Sequence, residues 1–445
     1  MLKRIATALW GKFESWAEVR KFLLMAITFG LIIGVYWTLR PIKDSIFDAL
    51  VDGKQWLWAA KLVSLFFIVP LVVLYSKLID TYPRNKVFYG LLGVYTLLTI
   101  GFALAFMHPT IGLANKAASG DRWLGWAWYV FVESYGSLIV ALFWVIATDI
   151  TLPESAKRGF PLIALFGQMG NILGPRYLNT KYLGLSNSAP IVAICSGLMF
   201  LTILMFWYFW TSTPHRLLAS YHSKEEEKVA EPGFFEGLKL LFSKPYLIGI
   251  FFIVSVYEII VTVIDYHFKQ STFGAFSTEA EKSAFLSGYA ETVGWIATIC
   301  LILGISNIQR VLGMRVSLIC LPVLIAVAIV LIVLNPDSLM IAFWIMGLSK
   351  AINYALNQPT LKQLYIPTTK EARYKTQGWI EMFGSRGAKA SASLVNGLRP
   401  AVGSVAPFLY AFGIASLGII GVWIVLATYV SKVYNKAVDR NEVVC

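Results

Sequence analysis

Apolar stretches of about 20 residues recur about twelve times along this chain, and no other feature restricts its fold as strongly. They run over about 22–39, 56–76, 87–107, 123–148, 160–178, 189–212, 246–266, 283–305, 311–334, 339–358, 377–397 and 403–430. A hydrocarbon layer offers no water to a bare backbone, so a spanning segment is either a helix or a strand of a closed barrel. Barrel strands would show pieces of about ten residues with alternating polarity. None occurs, and the segments are read as helices. Charged residues make up only 14% of the chain and hydrophobic ones 57%, against roughly 25% and 45–50% in soluble domains. An ordinary soluble enzyme, a disordered chain and a collagen-like fibre are excluded.

A net charge of +13 would suggest nucleic acid in a soluble protein. Here the basic residues sort by side. With the N-terminus inside, 24 of the 38 lysines and arginines fall on cytoplasmic segments. Among them are Lys3, Arg4, Lys77, Arg84, Lys86, Lys157, Arg158, Lys224, Lys362, Lys375 and Lys432. This bias places both termini in the cytoplasm and accounts for much of the charge, so no nucleic-acid partner is expected. The N-terminal run is polar, amphipathic and followed by a full-length span, unlike a cleavable signal. Glu14 and Glu18 argue against a transit peptide, and residues 5–18 read as a short surface helix. Cys195, Cys300 and Cys320 lie in apolar runs and Cys445 ends the chain, which reads as packing rather than a disulfide framework.

The longest hydrophilic stretch, about 213–245, divides the chain. The expected organisation is an amphipathic segment 1–21, a six-helix half 22–212, a cytoplasmic linker 213–245, a second six-helix half 246–430 and a tail 431–445. The loop LIDTYPRNKV (78–87) resembles the Asp/Arg/basic loop of the major facilitator superfamily. Its counterpart NIQRVLGMRV (307–316) keeps the basic residues and lacks the Asp. The fold class expected is therefore an all-α membrane protein, a pseudo-symmetric six-plus-six bundle with its substrate site near the midplane.

Ionisable residues at membrane depth carry the chemistry. The cations are Arg40, Lys43, Lys350, Arg386 and Lys389; the anions are Glu133, Glu258, Asp265, Glu291 and Glu381. Each costs about 2.5–3.5 kcal/mol at a helix centre, so ten facing lipid would cost on the order of 25–35 kcal/mol. They must pair, line an aqueous cavity or sit near an interface. Tyr36, Arg40 and Lys43 fall on one helical face, with Pro41 beside them. Lys350, Tyr354 and Asn357 repeat the spacing, Glu258, Thr262 and Asp265 do so again, and Gln377, Glu381, Ser385 and Lys389 form an i+4 stripe. Some of these charges can serve as structural ties: Arg40 with Asp44, or Glu381 with Arg386 or Lys389. As a set, cations from both halves suit a polyanion whose phosphates need compensation away from bulk water. No G-x-x-x-x-G-K-[ST] occurs, the four histidines lack metal-ligand spacing, and no nucleophile elbow is present. No catalytic residue, metal or cofactor is expected.

At these residues the chain resembles the non-mitochondrial ATP/ADP translocases and nucleotide transporters of plastids and intracellular bacteria. LRPIKDSIF (39–47) resembles the family's span-1 segment and puts Lys43 on its functionally important lysine. ESYGSLIVALFWVIATDIT (133–151) resembles the span-4 motif that begins at a glutamate, here Glu133, and AKRGFPL (156–162) the loop after it. NYALNQPTLKQLYIP (353–367) and RYKTQGWIEMFGSRGAKASAS (373–393) resemble the most specific stretch, with Lys362, Lys375, Arg386 and Lys389 on basic positions. The sequence departs from the pattern in places. The span-7 glutamate falls at Val261, with Glu258 one turn earlier and Asp265 at a usually basic site. Gln377 replaces a common lysine, Gln363 a common glutamate, and Thr148-Asp149-Ile150 a more usual Asn-Gln-Ile.

The resemblance implies a carrier that exchanges ATP for ADP by alternating access, without hydrolysis, as a monomeric unit in a bacterial inner membrane or, as the second choice, a plastid envelope. Arg40, Lys43, Arg386 and Lys389 would hold phosphates, with Lys43 and Lys389 as a clamp drawn from both halves. Glu133 and Glu258 would share the substrate site, and Asn353, Tyr354 and Asn357 would meet base or ribose. Lys157, Arg158, Lys362 and Lys375 would act at the cytoplasmic mouth, and Asp149, Asp265, Glu291 and Glu381 in gating or coupling. Proton-coupled import of another nucleotide or a NAD-like anionic metabolite stays open beside exchange, and a membrane-embedded transferase is the rival from another class.

Overall fold

The computed structural model describes residues 15–218, 234–302, 308–369, 376, 379–402, 405–440 and 442–444. The remainder, including most of the 5–18 segment and Lys375 and Gln377, lies outside the described residues, as do the side chains of Lys157 and Glu381. Helices dominate, and no strand occurs among the described residues. In chain order they are α1 (Trp16–Val51), α2 (Gly53–Thr81), α3 (Arg84–Met107), α4 (Trp123–Asp149), α5 (Pro153–Tyr177) and α6 (Ala189–Ser212). There follow α7 (Phe234–Ser243), α8 (Pro245–Ala275), α9 (Glu279–Ile302), α10 (Ile308–Leu334), α11 (Leu339–Gln363), α12 (Ile380–Gly387 continuing as Ala388–Gly397) and α13 (Val405–Arg440).

Nine of the described helices are long and apolar enough to cross a bilayer. The other three expected spans coincide with α5, α9 and α12, which are too polar or too short to qualify by the same criterion. The first helix is longer than its apolar run. It starts at Ser15, whose side chain accepts from the Glu18 N–H at 3.2 Å, and continues through Pro41 and the charges beyond it. At 1.5 Å per residue it is roughly 54 Å long, well over the roughly 30 Å hydrocarbon thickness. It ends at Asp52, whose backbone is left-handed (φ 72°) and whose carboxylate then accepts from Lys54 N–H to start α2. Aspartate tolerates that conformation better than a branched residue would.

The described chain forms two compact units. One is drawn from Met1–Glu226 and Phe276–Gly294, the other from Glu227–Ala275 and Trp295–Cys445. In the first, α1 is the central element and packs against α5, α4 and α6. Its contact with α5 is backbone on backbone: a Cβ added at Gly170 would strike the Gly30 carbonyl, and one at Gly34 would come within 3.6 Å of the Gly170 carbonyl. Gly30/Gly34 and Gly170/Gly174 are two small-xxx-small pairs, the spacing that lets membrane helices approach closely where lipid gives no hydrophobic drive. Around that seam, Phe29 stacks on Phe143 at 4.7 Å, and α3 meets α6 through Phe88 and Phe206 at 4.2 Å. In the second unit α8 is central and packs against α11, α12 and α13. Tyr257 there lies 6.5 Å from the buried Trp423.

Two segments are wound as π-helix, Asn353–Asn357 within α11 and Ile380–Gly387 at the start of α12. Such widened turns loosen the regular hydrogen-bond ladder and recur at functional sites. Both fall in the stretch whose residues carry the most specific resemblance.

Candidate functional site

In the first unit, α1 and α4 bring a buried cation together with its counter-ions. The Lys43 side chain is only 2% exposed. Its ammonium donates to Glu133 Oε1, lies 3.7 Å from Asp44 Oδ1 and sits 4.1 Å above the Tyr129 ring. Tyr129 and Glu133 stand one turn apart on α4, so one helix face supplies both the aromatic surface and the carboxylate. One turn earlier on α1, the Arg40 guanidinium packs 4.8 Å from the Trp37 ring and 5.9 Å from the Tyr36 ring. Tyr36 in turn lies against Gly136, where any Cβ would collide with the ring. The glycine of the span-4 motif thus makes room for the aromatic shelf under Arg40. Lys43 and Glu133 each stand out in the sequence, and the structure joins them as a pair. Tyr129, Trp37 and Gly136 were not singled out, although their one-turn spacing from Glu133 and Arg40 was visible.

The second unit holds two lysine–carboxylate sets on α8. Glu258 Oε2 lies 3.4 Å from Lys389 Nζ, and its Oε1 accepts from the Ser385 hydroxyl at 3.1 Å. Asp265, two turns along α8, lies 3.1 Å from Lys350 and 3.2 Å from Lys269. Ser385 and Lys389 therefore share a face as their spacing suggests, and the described partner of Lys389 is Glu258. Asp265, at a usually basic position, is flanked by two cations. Lys269, at i+4 from Asp265, was legible in the sequence and was not singled out. Arg386 is partly exposed and makes no ion pair among the described residues. Asn357 donates from its amide to Asn353 Oδ1 at 2.8 Å, and both are buried, while Tyr354 is 45% exposed. Tyr354 and Asn357 hence do not present one common surface, because the π turn changes the register that an α-helix would give.

The remaining candidates are spread over the helix ends. Asp149 at the end of α4 pairs with Arg84 at the start of α3 at 2.6 Å. Arg158 pairs at 2.9 Å with the buried Glu18 of α1, so this cation ties α5 to α1. Lys362 is exposed. Glu291 on α9 pairs with Arg176 on α5 at 2.8 Å.

That last contact is one of a series along the part of α9 that packs in the first unit. Glu279 accepts from the hydroxyls of Ser45 (2.8 Å) and Ser188 (2.7 Å) and from the Ser188 N–H (2.9 Å). Lys282 donates to Asp48 at 2.5 Å, Thr180 to the Ala280 carbonyl at 2.6 Å, and Gln168 to the Gly294 carbonyl at 2.9 Å. Glu279, Lys282 and Asp48 are buried. Sequence reasoning missed all three, since nothing local pairs residues 234 positions apart.

The chain matches the profile of a family described as TLC ATP/ADP transporter over residues 2–434. It is 25% identical to ADP,ATP carrier protein 1 of Rickettsia typhi, covering 96% of this chain and 95% of that protein. The protein of the same name from Chlamydia muridarum is also 25% identical, with 96% and 90% covered. Among solved structures, a mutant of the nucleoside transporter NupG aligns with a TM-score of 0.64 at 13% identity, over 92% of this chain and 99% of that one. A peptide transporter of the POT type aligns with a TM-score of 0.64 at 13% identity, over 93% and 95%. At such identities these structures report on fold, and the fold is that of major facilitator-like carriers.

Proposed function

The chain belongs to the TLC ATP/ADP transporter family, and from that membership we propose that it exchanges ATP for ADP by alternating access, hydrolysing neither. The observation that carries the reading is Lys43, a cation buried in the first unit and matched by Glu133. A buried ammonium is expensive without a counter-charge, and a fold that needed no charge there would do better with an apolar residue. Lys43 and Arg40 in one unit, and Lys389 and Arg386 in the other, are the phosphate ligands in this account. Glu133 and Glu258 are the counter-ions of the lysines. Tyr354, the exposed member of its π turn, offers a ring for a base, and Lys362 receives nucleotide at the cytoplasmic mouth.

The competing reading, proton-coupled import, draws on the missing P-loop together with Glu133, Glu258 and Asp265 at membrane depth. Asp265 is held in two ion pairs, with Lys350 at 3.1 Å and Lys269 at 3.2 Å. Uptake of labelled ATP, ADP, GTP and NAD into cells making the protein tests the substrate class. ATP and ADP are expected to enter and to compete with each other; uptake of NAD or GTP alone would replace this reading.

The membrane is taken as the bacterial inner membrane with both termini in the cytoplasm, and the monomer as the working unit. Ala118 and Asn435 are both exposed and lie on opposite sides in this topology. A cysteine at Ala118 is expected to react with an impermeant thiol reagent in intact cells, and one at Asn435 to react only after permeabilisation. Labelling of position 435 from outside would invert the orientation.

A further inference from the structure

We propose that Glu133 and Glu258 are built-in competitors of the nucleotide: each occupies, in the empty carrier, the lysine that a phosphate takes when substrate binds. The proposal rests on the reading of Lys43 and Lys389 as phosphate ligands and adds the role of their carboxylates.

Lys43 is 2% exposed, and its ammonium is covered by the Glu133 carboxylate, Asp44 and the Tyr129 ring. A phosphate oxygen reaching Nζ must take the position of one of these. Asp44 is the residue next to Lys43 on α1, and Tyr129 is 1% exposed in the core. Glu133 is the one partner with a route outward, its side chain being 35% exposed where Lys43 is 2%. The second unit pairs the same residue types with the exposures reversed, the Glu258 side chain being 16% exposed. Glu258 holds Lys389 with one oxygen and the Ser385 hydroxyl with the other, and Lys389 is 45% exposed. In both places the anion belongs to one helix and the cation to another, so the pair can part without unwinding either.

Two functional properties come from this arrangement. An empty site whose lysines are neutralised avoids leaving uncompensated cations at membrane depth. The carboxylate also returns to its lysine as phosphate leaves, which hastens release. Its effect on affinity is that of any self-occupied state: observed binding is weakened by the fraction of molecules in which the lysine is taken. A carrier that must let go of its substrate on the far side gains turnover from what it gives up in affinity.

The test uses purified, reconstituted protein and radiolabelled ATP. Glu133→Gln removes the competitor and keeps the size, and it is expected to bind ATP roughly tenfold more tightly than wild type. In exchange assays KM should fall by a similar factor while Vmax falls with it, a split that a merely structural pair does not give. In a Lys43→Gln background the gain from Glu133→Gln should vanish. If Glu133→Gln is not monodisperse, Glu258→Gln puts the same question to Lys389, with a smaller tightening expected because Lys389 is itself 45% exposed. Wild type that binds ATP while the glutamine variants bind it equally or more weakly would overturn the competitor role alone. Wild type that fails to bind ATP would remove the nucleotide reading, and this inference with it.

Discussion

Replacing Lys43 with glutamine is expected to lower ATP/ADP exchange roughly 100-fold, with the protein still inserted and monodisperse. Truncating one partner of a desolvated charge pair costs about 2–5 kcal/mol, and about 2.7 kcal/mol suffices for a hundredfold loss. Two effects add at this position. On the proposed reading the phosphate loses its most buried cation, and Glu133 loses its described counter-ion. Arginine at position 43 should restore only part of the rate. The pocket is closed by Tyr129 at 4.1 Å and fits a compact ammonium, whereas a planar guanidinium needs more width. Equal exchange by wild type and Lys43→Gln would leave the Lys43–Glu133 pair as a structural tie between α1 and α4.

The second large effect concerns the seam that sets α1 in place. Gly170→Leu is expected to prevent accumulation of folded protein, because any side chain there drives into the Gly30 carbonyl, and backbone has no rotamer to yield. Overpacking of this kind costs about 3 kcal/mol or more, a large share of the stability of an ordinary fold. Gly197→Leu on α6 is the matched control. Nothing lies within 4 Å of a Cβ at Gly197, so the same bulk should be accepted. Size-exclusion profiles and thermal unfolding of the two variants measure the difference. If Gly170→Leu matched the control, the close α1–α5 approach would be wrong, and with it the support for the helix bearing Arg40 and Lys43.

What the sequence revealed and what it concealed divide along a physical line. Spans were legible because burial in lipid writes itself into about 20 consecutive residues and needs no partner to be recognised. Lys43 and Glu133 stood out for the same reason, as charges where charge is costly. Partner choice was not legible. Glu381, at i+8 from Lys389, was a reasonable local partner, yet the lysine meets Glu258 on another helix, a contact fixed by how α8 and α12 pack. Arg158, expected at the cytoplasmic mouth, pairs with Glu18 of α1, a partner 140 positions away in the sequence. The Asn353/Tyr354/Asn357 set was read with a 3.6-residue period, and the π turn redistributes it, burying the asparagines against each other and leaving the tyrosine exposed. Asp265 looked like a lost cation. It is paired with Lys350 and Lys269 in the same unit.

Exchange of nucleotides across a membrane, through lysines that carboxylates hold in reserve, is measured most directly by counterflow. Proteoliposomes containing the purified protein, loaded with ADP or left empty, are given labelled ATP outside, with and without an uncoupler. The account predicts rapid ATP uptake only into ADP-loaded vesicles, unchanged by the uncoupler and abolished by Lys43→Gln. Uptake that ignores internal ADP and collapses when the proton gradient is dissipated would contradict it.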